Sequence, residues 1–237
     1  MNGRTMNTAQ DRRPGLTIAG LTPFFPPFSV HRLMKNPYDL IAGEWHANFR
    51  GQAYVDRTLG YVDMVLEGLP AGARVLDVGC GTGQPIAKHI VERGFEVVGY
   101  DQSSELLKIA RTVVPEAELI HSDMVEAELT GKFAAAVAWD SIFHVERKHH
   151  AAIYKKLADA LDAGGRLLLS VGGSDAAEDS PEAEGFTSQM FGQTFFYSGY
   201  APKVARQLLE AAGFEIEHWE IDDPASHGHI AVVTKKI

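Results

Sequence analysis

The stretch from Val75 to Gly83, Val-Leu-Asp-Val-Gly-Cys-Gly-Thr-Gly, constrains the fold more than any other part of the chain. It begins with the apolar residues of a strand that is buried on both faces. Every second residue from Gly79 is then a glycine, at Gly79, Gly81 and Gly83. Because a glycine has no Cβ atom, a ligand can lie directly against the main chain there. The pattern predicts a buried strand, a tight turn and a helix from about Gln84 to Arg93, which the Thr82 hydroxyl can cap.

The spacing of these glycines narrows the class of ligand. A dinucleotide-binding turn has the spacing G-x-G-x-x-G and aims a helix N-terminus at a pyrophosphate. Here the spacing is D-x-G-x-G-x-G, with the third glycine one residue early and no basic residue that could meet a phosphate. The next predicted strand, Phe95 to Tyr100, leads to Asp101, an acid placed to accept both hydroxyls of a ribose. The pattern favours a ligand that contains adenosine without phosphates, and it disfavours an NAD(P) oxidoreductase.

The run from Asp77 to Gly83, together with Asp101, resembles the seven-stranded class I methyltransferases, which use S-adenosylmethionine (SAM). The later predicted elements follow in the order of that family, so the resemblance covers residues 37–237. It implies an α/β fold with a doubly wound, mostly parallel seven-stranded sheet, the last strand antiparallel, and helices on both faces. It also implies an enzyme that binds SAM as its cofactor and transfers a methyl group.

The resemblance further implies which residues hold the cofactor. The family places an acid after the third strand to accept a hydrogen bond from the adenine amino group, and the next residue packs on the ring; Asp123 and Met124 match both. Tyr38 and Trp45, in a predicted helix before the first strand, are expected at the methionine end, with an ordinary helix–sheet core as the alternative. The expected cofactor residues are Tyr38, Trp45, Asp77, Gly79, Cys80, Gly81, Gly83, Asp101, Gln102, Asp123, Met124 and Trp139.

Residues after the fourth predicted strand face the methyl group in this family. Methyl transfer is an in-line displacement, so a base is needed only when the acceptor has to lose a proton, as a hydroxyl does. His144 is the expected general base, because a neutral imidazole is available at pH 7; the alternative is a histidine that only positions the substrate. Asp140 could bind an amine substrate or the cofactor's ammonium group. The expected substrate contacts are Asp140, Ser141, Tyr197 and His229.

Composition limits the classes of ligand. The 237 residues carry a formal charge of −9 with a pI near 5.5, and no basic stripe points to nucleic acid as a partner. No run of 18 apolar residues and no signal-peptide pattern are visible, so no membrane association is expected and the cytoplasm is the expected location. The single cysteine, Cys80, fits a reducing compartment. The histidines lack metal-binding spacing, so no metal is expected.

We expect a single catalytic domain with two additions. Residues 1–30 are predicted to be a flexible N-terminal arm, whose Pro/Phe-rich part packs on the domain or on a partner subunit, and 31–237 to be a single methyltransferase domain. Helices over about 37–69 are expected to cover the cofactor, and about 172–199 is expected to be a loop insertion. The acidic first half of this insertion predicts a lid that is mobile without substrate. The expected oligomeric state is a monomer or homodimer.

These features favour a methyltransferase that acts on a small-molecule substrate at oxygen, nitrogen or sulfur. Two alternatives stay open. An RNA or protein methyltransferase on the same fold would need a basic groove or an added binding domain, and neither is visible in the sequence. A non-catalytic SAM-binding module would be favoured if His144 lay far from the methyl group.

Overall fold

The computed structural model describes residues 36–48, 51–172, 185–222 and 229–237. The predicted N-terminal arm and the acidic half of the predicted loop insertion lie outside these ranges. The helices are α1 (Pro37–Ala47), α2 (Gln52–Leu66), α3 (Ile86–Glu92), α4 (Ser104–Val113), α5 (His150–Ala160) and α6 (Pro202–Ala211). The strands are β1 (Arg74–Val78), β2 (Glu96–Asp101), β3 (Glu118–His121), β4 (Phe133–Ala138), β5 (Leu161–Val171), β6 (Phe186–Met190), β7 (Gln193–Tyr197), β8 (Phe214–Ile221) and β9 (Ile230–Lys236). None of the helices in these ranges is long and apolar enough to cross a membrane.

Seven of the strands form one sheet in the order β3-β2-β1-β4-β5-β9-β8. The first five run parallel to one another, whereas β9 is antiparallel to both of its neighbours, β5 and β8. The predicted doubly wound sheet with an antiparallel last strand is therefore confirmed. The order of the strands reverses between β1 and β4, and a crevice for a ligand opens at such a switch point, beyond the carboxyl ends of the strands.

Apolar side chains cover both faces of this sheet, because successive residues of a strand point to opposite sides. On one face, Leu76 of β1 belongs to a core that includes residues of α5 and α6. On the other face, its neighbour Val75 belongs to a core that includes residues of α2 and α3. The predicted helices on both faces are confirmed, and the two cores hold β1 and β4 as a fixed frame for the crevice.

Two elements begin at other residues than the sequence predicts. The N-cap position of α3 is occupied by Pro85, so Thr82 does not cap this helix. The glycine turn extends further than expected, since the Gly83 N–H donates back to the Cys80 carbonyl. The run Asp162-Ala-Gly-Gly165 has the composition of a turn and predicts that the fifth strand starts at Arg166. β5 begins at Leu161 instead, because these residues join the strand as an irregularity in its pairing with β4.

The second half of the predicted loop insertion forms a β-hairpin instead of a loop. β6 and β7 pair antiparallel and apart from the main sheet, and Phe191 and Gly192 make the two-residue turn with φ of 48° and 73°. The hairpin packs on α1, where the rings of Phe195 and Tyr38 lie 4.8 Å apart. It also joins the segment after β4, since the Ser198 N–H donates to the Phe143 carbonyl. Hairpin and α1 therefore stand side by side near the carboxyl end of β4.

Candidate active site

A cavity of about 1020 Å³, its open mouth included, lies at the carboxyl ends of β1, β2 and β4. Most of the residues that the sequence singled out line it, namely Tyr38, Trp45, Asp77, Gly79, Cys80, Gly81, Asp101, Gln102, Asp123, Met124, Trp139, Asp140, Ser141 and His144. Gly83, Tyr197 and His229 are not among its lining residues. The topology thus gathers residues between Tyr38 and Val145, from several separate elements, around one space.

The three glycines of the turn after β1 serve different purposes. Gly79 has a φ of 81°, and a Cβ there would lie 2.3 Å from the Cβ of Ser141. Gly81 has a φ of 57° and open space where its Cβ would be, so its main chain is accessible from the cavity. Gly83 was expected to contact the cofactor, but it packs against α4, where a Cβ would lie 2.7 Å from Val114. Close packing rather than ligand contact explains this last glycine.

Asp101, at the end of β2, is held by two backbone donors. Its Oδ2 accepts from the Gly81 N–H at 2.9 Å, and its Oδ1 accepts from the Ser103 N–H at 2.7 Å. Burial raises the pKa of the Asp101 carboxyl above its ordinary value, the two N–H groups oppose that rise, and the like charge of Asp39 adds to it. Each carboxylate oxygen has a further lone pair, so the group can still accept from a ligand's hydroxyls.

Three buried polar atoms among the cavity's lining residues find no hydrogen-bond partner in the described part of the chain. They are Thr58 Oγ1, Asp77 Oδ2 and Thr82 Oγ1. Burial, with the nearby charge of Asp101, raises the pKa of the Asp77 carboxyl to about 7. Buried polar groups in native proteins are nearly always paired, so these atoms indicate that a polar ligand completes the cavity.

Cys80 lines the cavity as a buried thiol. Burial, with the charges of Asp77 and Asp101, raises the pKa of this thiol well above its ordinary value. A thiolate nucleophile is therefore disfavoured at Cys80. The side chain instead fills space beside β2, where a Cβ at Gly99 would lie 2.9 Å from its sulfur.

The residues expected at the adenine lie at the outer end of the cavity. Asp123 is exposed, and its Oδ1 accepts from the Val125 N–H at 2.7 Å, which fixes the carboxylate at the end of β3. Met124 is half-buried beside it and packs partly against the core. Gln102 lines the same end with an exposed side chain. The arrangement offers an acceptor for an exocyclic amine and an apolar surface for a ring.

His144 forms a fixed pair with Tyr38. Its Nδ1 lies 2.9 Å from the Phe196 carbonyl, which can only accept, so Nδ1 carries the proton. Nε2 then accepts from the Tyr38 hydroxyl at 2.9 Å. Burial lowers the pKa of His144 below its ordinary 6.5, although the Phe196 hydrogen bond and the Asp140 charge oppose the shift. The imidazole is neutral at pH 7, as the expected base requires, but its accepting nitrogen, Nε2, is occupied by the Tyr38 hydroxyl.

A second polar network joins Trp139 and Asp140 to α2. The Trp139 indole N–H donates to the Tyr54 hydroxyl at 2.7 Å, and this hydroxyl donates to Asp140 Oδ2 at 2.6 Å. Asp140 has a φ of 47°, and its N–H donates to the Ser170 hydroxyl at 2.8 Å. His229, expected to touch substrate, instead lies behind this network with Nδ1 3.3 Å from Asp140 Oδ1. The carboxylate at the cavity wall is therefore held from several sides.

Two other expected substrate residues have structural contacts. The Ser141 hydroxyl donates to the Val78 carbonyl at 2.9 Å, so its proton is engaged although the residue lines the cavity. Tyr197 lies behind His144, with ring centroids 4.8 Å apart, and stacks on Phe186. It supports the wall rather than lining it, because the hairpin brings this ring to the outer side of the imidazole.

Several residues at or near the site were not expected there from the sequence. Among them, Tyr54 and Thr58 line the cavity from α2. Asp39 of α1 reaches the N-terminus of α4. An acid in the first turn of a helix is ordinary, so no local signal marked it. Among the described residues, no cluster of His, Cys, Asp and Glu could hold a metal ion.

Comparisons with known proteins agree with this geometry. The chain is similar to the ubiquinone biosynthesis O-methyltransferase of Xanthomonas axonopodis pv. citri, 36% identical over 118 residues, 47% of each chain. It is also similar to the dTDP-3-amino-3,4,6-trideoxy-alpha-D-glucopyranose N,N-dimethyltransferase of Streptomyces venezuelae, 30% identical over 122 residues, 51% of each chain. The chain therefore spans about half the length of these curated relatives.

A solved structure shares the fold, and a family model matches most of the chain. The SAM-bound amino pentose methyltransferase of Micromonospora echinaspora has a TM-score of 0.62 at 18% identity, covering 84% of this chain and 97% of that one. A family model described as a methyltransferase domain matches residues 46–219. The matched range contains β1, the glycine turn, Asp101, Asp123 and His144. This chain belongs to the methyltransferase domain family.

Proposed function

We propose that this protein transfers a methyl group from SAM to a small-molecule acceptor, at oxygen, nitrogen or sulfur. The observation that carries the proposal is the cavity itself, where Asp101 follows β2 with lone pairs left to accept hydrogen bonds and three buried polar atoms have no partner in the described part of the chain. The methyltransferase domain match supports the reaction, and the names of the two curated relatives support oxygen and nitrogen acceptors on small molecules.

The residues present fit SAM as the ligand. Asp101 would accept from the two ribose hydroxyls, and Asp123 with Met124 would hold the adenine. The unpaired atoms of Thr58, Asp77 and Thr82 provide acceptors and donors for an ammonium and a carboxylate, the polar groups of the methionine end.

The chain's own residues supply positioning and a place for a proton. Bound SAM supplies a methyl group on a sulfonium, which is already a good leaving group. The protein has to hold the acceptor in line with that bond and exclude water; α1 walls the site for this purpose, and the hairpin packs behind α1. Where the acceptor is a hydroxyl, we propose that its proton passes to the Tyr38–His144 pair, in which Nε2 of the neutral imidazole is the final acceptor.

The charge of the cavity favours certain acceptors. Its lining carries the carboxylates of Asp77, Asp101, Asp123 and Asp140, and none of the described lining residues is Lys or Arg. Uncharged or cationic acceptors therefore fit better than anionic ones. The same feature, with the net charge of −9, disfavours an RNA substrate.

The organisation of the protein stays part of the proposal. We infer a single methyltransferase domain over 31–237 preceded by an arm over 1–30, acting as a monomer or homodimer in a reducing compartment such as the cytoplasm. The buried free thiol of Cys80 is compatible with that compartment.

Calorimetry with S-adenosylhomocysteine (SAH) and with NADH tests the cofactor. SAH should bind and NADH should not, and Asp101→Ala should weaken SAH by roughly 2–4 kcal/mol because two charge-assisted hydrogen bonds are lost. Glu96→Ala, at the exposed far end of the same strand, is the matched control and should leave the affinity unchanged. NADH binding tighter than SAH would refute the cofactor. A loss below tenfold in Asp101→Ala would remove Asp101 as the ribose acceptor.

A further inference from the structure

Helix α1 forms part of the cavity wall and is joined to the rest of the described structure at several places, among them the hydrogen bonds of Tyr38 with His144 and of Gln84 with His46. It carries Tyr38 and Trp45 on the cavity side, and it packs chiefly on α4 and β7. The contact with β7 is apolar, made by the rings of Tyr38 and Phe195. At the N-terminus of α4 the contact includes two hydrogen bonds, and Asp39 accepts both.

The Asp39 carboxylate occupies the N-terminus of α4. Its Oδ1 accepts from the Ser103 hydroxyl at 2.6 Å and from the Glu105 N–H at 3.1 Å. Ser103 is itself the N-cap of α4, and its hydroxyl oxygen accepts from the Leu106 N–H at 3.1 Å. Two N–H groups in the first turn of α4 are thus satisfied, that of Leu106 by the N-cap Ser103 and that of Glu105 by Asp39 of α1.

Ser103 continues this link to the cofactor side of the cavity. Its backbone N–H donates to Asp101 Oδ1 at 2.7 Å, and Asp101 Oδ2 accepts from Gly81 in the glycine turn. Asp39, Ser103, Asp101 and Gly81 therefore form one hydrogen-bonded series. It runs from the covering helix through the proposed ribose acceptor to the turn after β1.

We propose that Asp39 is a positioning residue that holds α1 closed over the bound cofactor and couples this closure to Asp101. The inference rests on the proposed function, because the ligand whose release it slows is SAM or its product. Asp39 is not among the residues that line the cavity, so it acts through α1 and Ser103 rather than by contact with the ligand.

Asp39 also has an electrostatic effect, because its negative charge near Asp101 helps to raise the pKa of the Asp101 carboxyl. Asp39→Asn and Asp39→Ala remove this charge alike, so a purely electrostatic role predicts the same change in binding in both variants. A cap that serves only α4 predicts a change in stability but no change in ligand release. Only a docking role for α1 predicts that loss of Asp39 speeds both ligand dissociation and amide exchange in α1.

The test compares Asp39→Ala with Glu44→Ala, which removes the same charge from an exposed position of the same helix. We expect Asp39→Ala to raise the Kd for SAH roughly tenfold, mostly through faster dissociation. The reason is that the hydrogen bonds of Asp39 have to break before α1 can move aside and the ligand can leave. Asp39→Asn keeps an acceptor oxygen and should lose less affinity than Asp39→Ala. Glu44→Ala should bind SAH like the wild type.

Amide hydrogen exchange without any ligand provides the second readout. In Asp39→Ala, the amides of α1 should exchange at least several times faster than in the wild type, while those of β4 stay unchanged. SAH should protect α1 in the wild type and much less in Asp39→Ala. An SAH dissociation rate in Asp39→Ala within twofold of Glu44→Ala, or unchanged exchange in α1, would overturn the proposal. If the wild type bound no SAH, the cofactor assignment would fail, and exchange in the ligand-free protein would still decide whether Asp39 anchors α1.

Discussion

At the scale of single residues, the arrangement around His144 defines what this site can do with a proton. The Phe196 carbonyl keeps the proton on Nδ1, burial keeps the ring neutral, and the Tyr38 hydroxyl occupies Nε2. An acceptor hydroxyl can therefore reach the imidazole through Tyr38 or by displacing it. Both routes require the neutral form of His144.

Replacing Tyr38 by Phe should change the titration of His144 in a defined direction. The Tyr38 hydroxyl donates to the neutral ring, so its loss should raise the pKa of His144 toward the ordinary histidine value. An NMR titration of the histidine ring signals in wild type and Tyr38→Phe measures this shift. His150, buried with its Nε2 on the Val145 carbonyl, is the internal control and should titrate unchanged. A lower or equal pKa for His144 in Tyr38→Phe would contradict the pairing.

The same pair predicts a dependence of the methyl-transfer rate on pH. With a hydroxyl acceptor, the single-turnover rate should rise with pH through the lowered pKa of His144, because only the neutral ring accepts a proton. His144→Ala should then slow this rate by roughly 10²–10⁴, while the affinity for SAH stays close to that of the wild type. With a thiolate or neutral amine acceptor, the loss should be much smaller. A rate within fivefold of wild type on a hydroxyl acceptor would remove His144 as the base.

At the scale of elements, the glycine turn after β1 and the segment after β4 are fitted to each other. Gly79 is approached so closely by Ser141 that a Cβ there would lie 2.3 Å from the serine Cβ. The Ser141 hydroxyl in turn donates to the Val78 carbonyl at the end of β1. The packing of these two segments sets the distance between the cofactor side and the acceptor side of the cavity.

Gly79→Ala should therefore destabilise the protein by more than the cost of placing an alanine in the left-handed conformation. Gly94→Ala is the matched control, because Gly94 has a φ of 85° but no atom within 4 Å of its added Cβ. The control should cost about 1–2 kcal/mol for the left-handed conformation, and Gly79→Ala should cost about 1–3 kcal/mol more for the overlap. Urea unfolding measures both. The double variant Gly79→Ala/Ser141→Gly should recover part of the difference, and equal costs for the two alanine variants would contradict the close packing.

Elements whose signal is local could be predicted from the sequence. β1 and β4 were predictable because central parallel strands are apolar throughout, and the glycine turn because its spacing is specific. The β6–β7 hairpin was not predictable, since β6 is mostly exposed and the Phe191–Gly192 turn lacks the usual Asn-Gly signal.

The missed parts of the site depend on partners that are distant along the chain. Tyr54 lies 86 residues from Asp140, and Asp39 lies 64 residues from Ser103. Each of these residues is ordinary within its own helix, so only the tertiary fold reveals its role.

At the scale of the whole molecule, burial of carboxyl groups makes stability depend on pH. The Asp77 carboxyl has a pKa of about 7 in the folded protein, against an ordinary value of 3.8. The folded state therefore holds more protons than the unfolded state between these values. By linkage, this group's contribution to the free energy of unfolding falls as pH rises from about 4 to 7.

Asp77→Asn should remove that contribution. Relative to wild type, the variant should gain stability as pH rises, by roughly 2–4 kcal/mol between pH 4 and pH 8. Urea unfolding of both proteins at several pH values gives the difference between their free energies of unfolding. The buried histidines His144 and His150 have lowered pKa values and contribute in the opposite direction, but they are present in both proteins, so their contributions cancel in this difference. A difference that does not vary with pH would show that folding leaves the pKa of Asp77 at its ordinary value. SAH should also bind Asp77→Asn more weakly, since an amide cannot neutralise an ammonium.

The position of β9 between β5 and β8 has a consequence for synthesis of the protein. β5 and β8 are synthesised before β9, the strand that lies between them in the sheet. Until β9 is available, the edges of β5 and β8 that pair with it have no hydrogen-bond partners. Five successive residues of β9, Ile230 to Thr234, are buried in the finished sheet, and their absence leaves the apolar surface of β5 open on the nascent chain. Open strand edges of this kind recruit chaperones or pair with other chains. Chains truncated before Ile230 should therefore be protease-sensitive and bind chaperones, whereas chains that continue through Lys236 should be protected once they have left the ribosome.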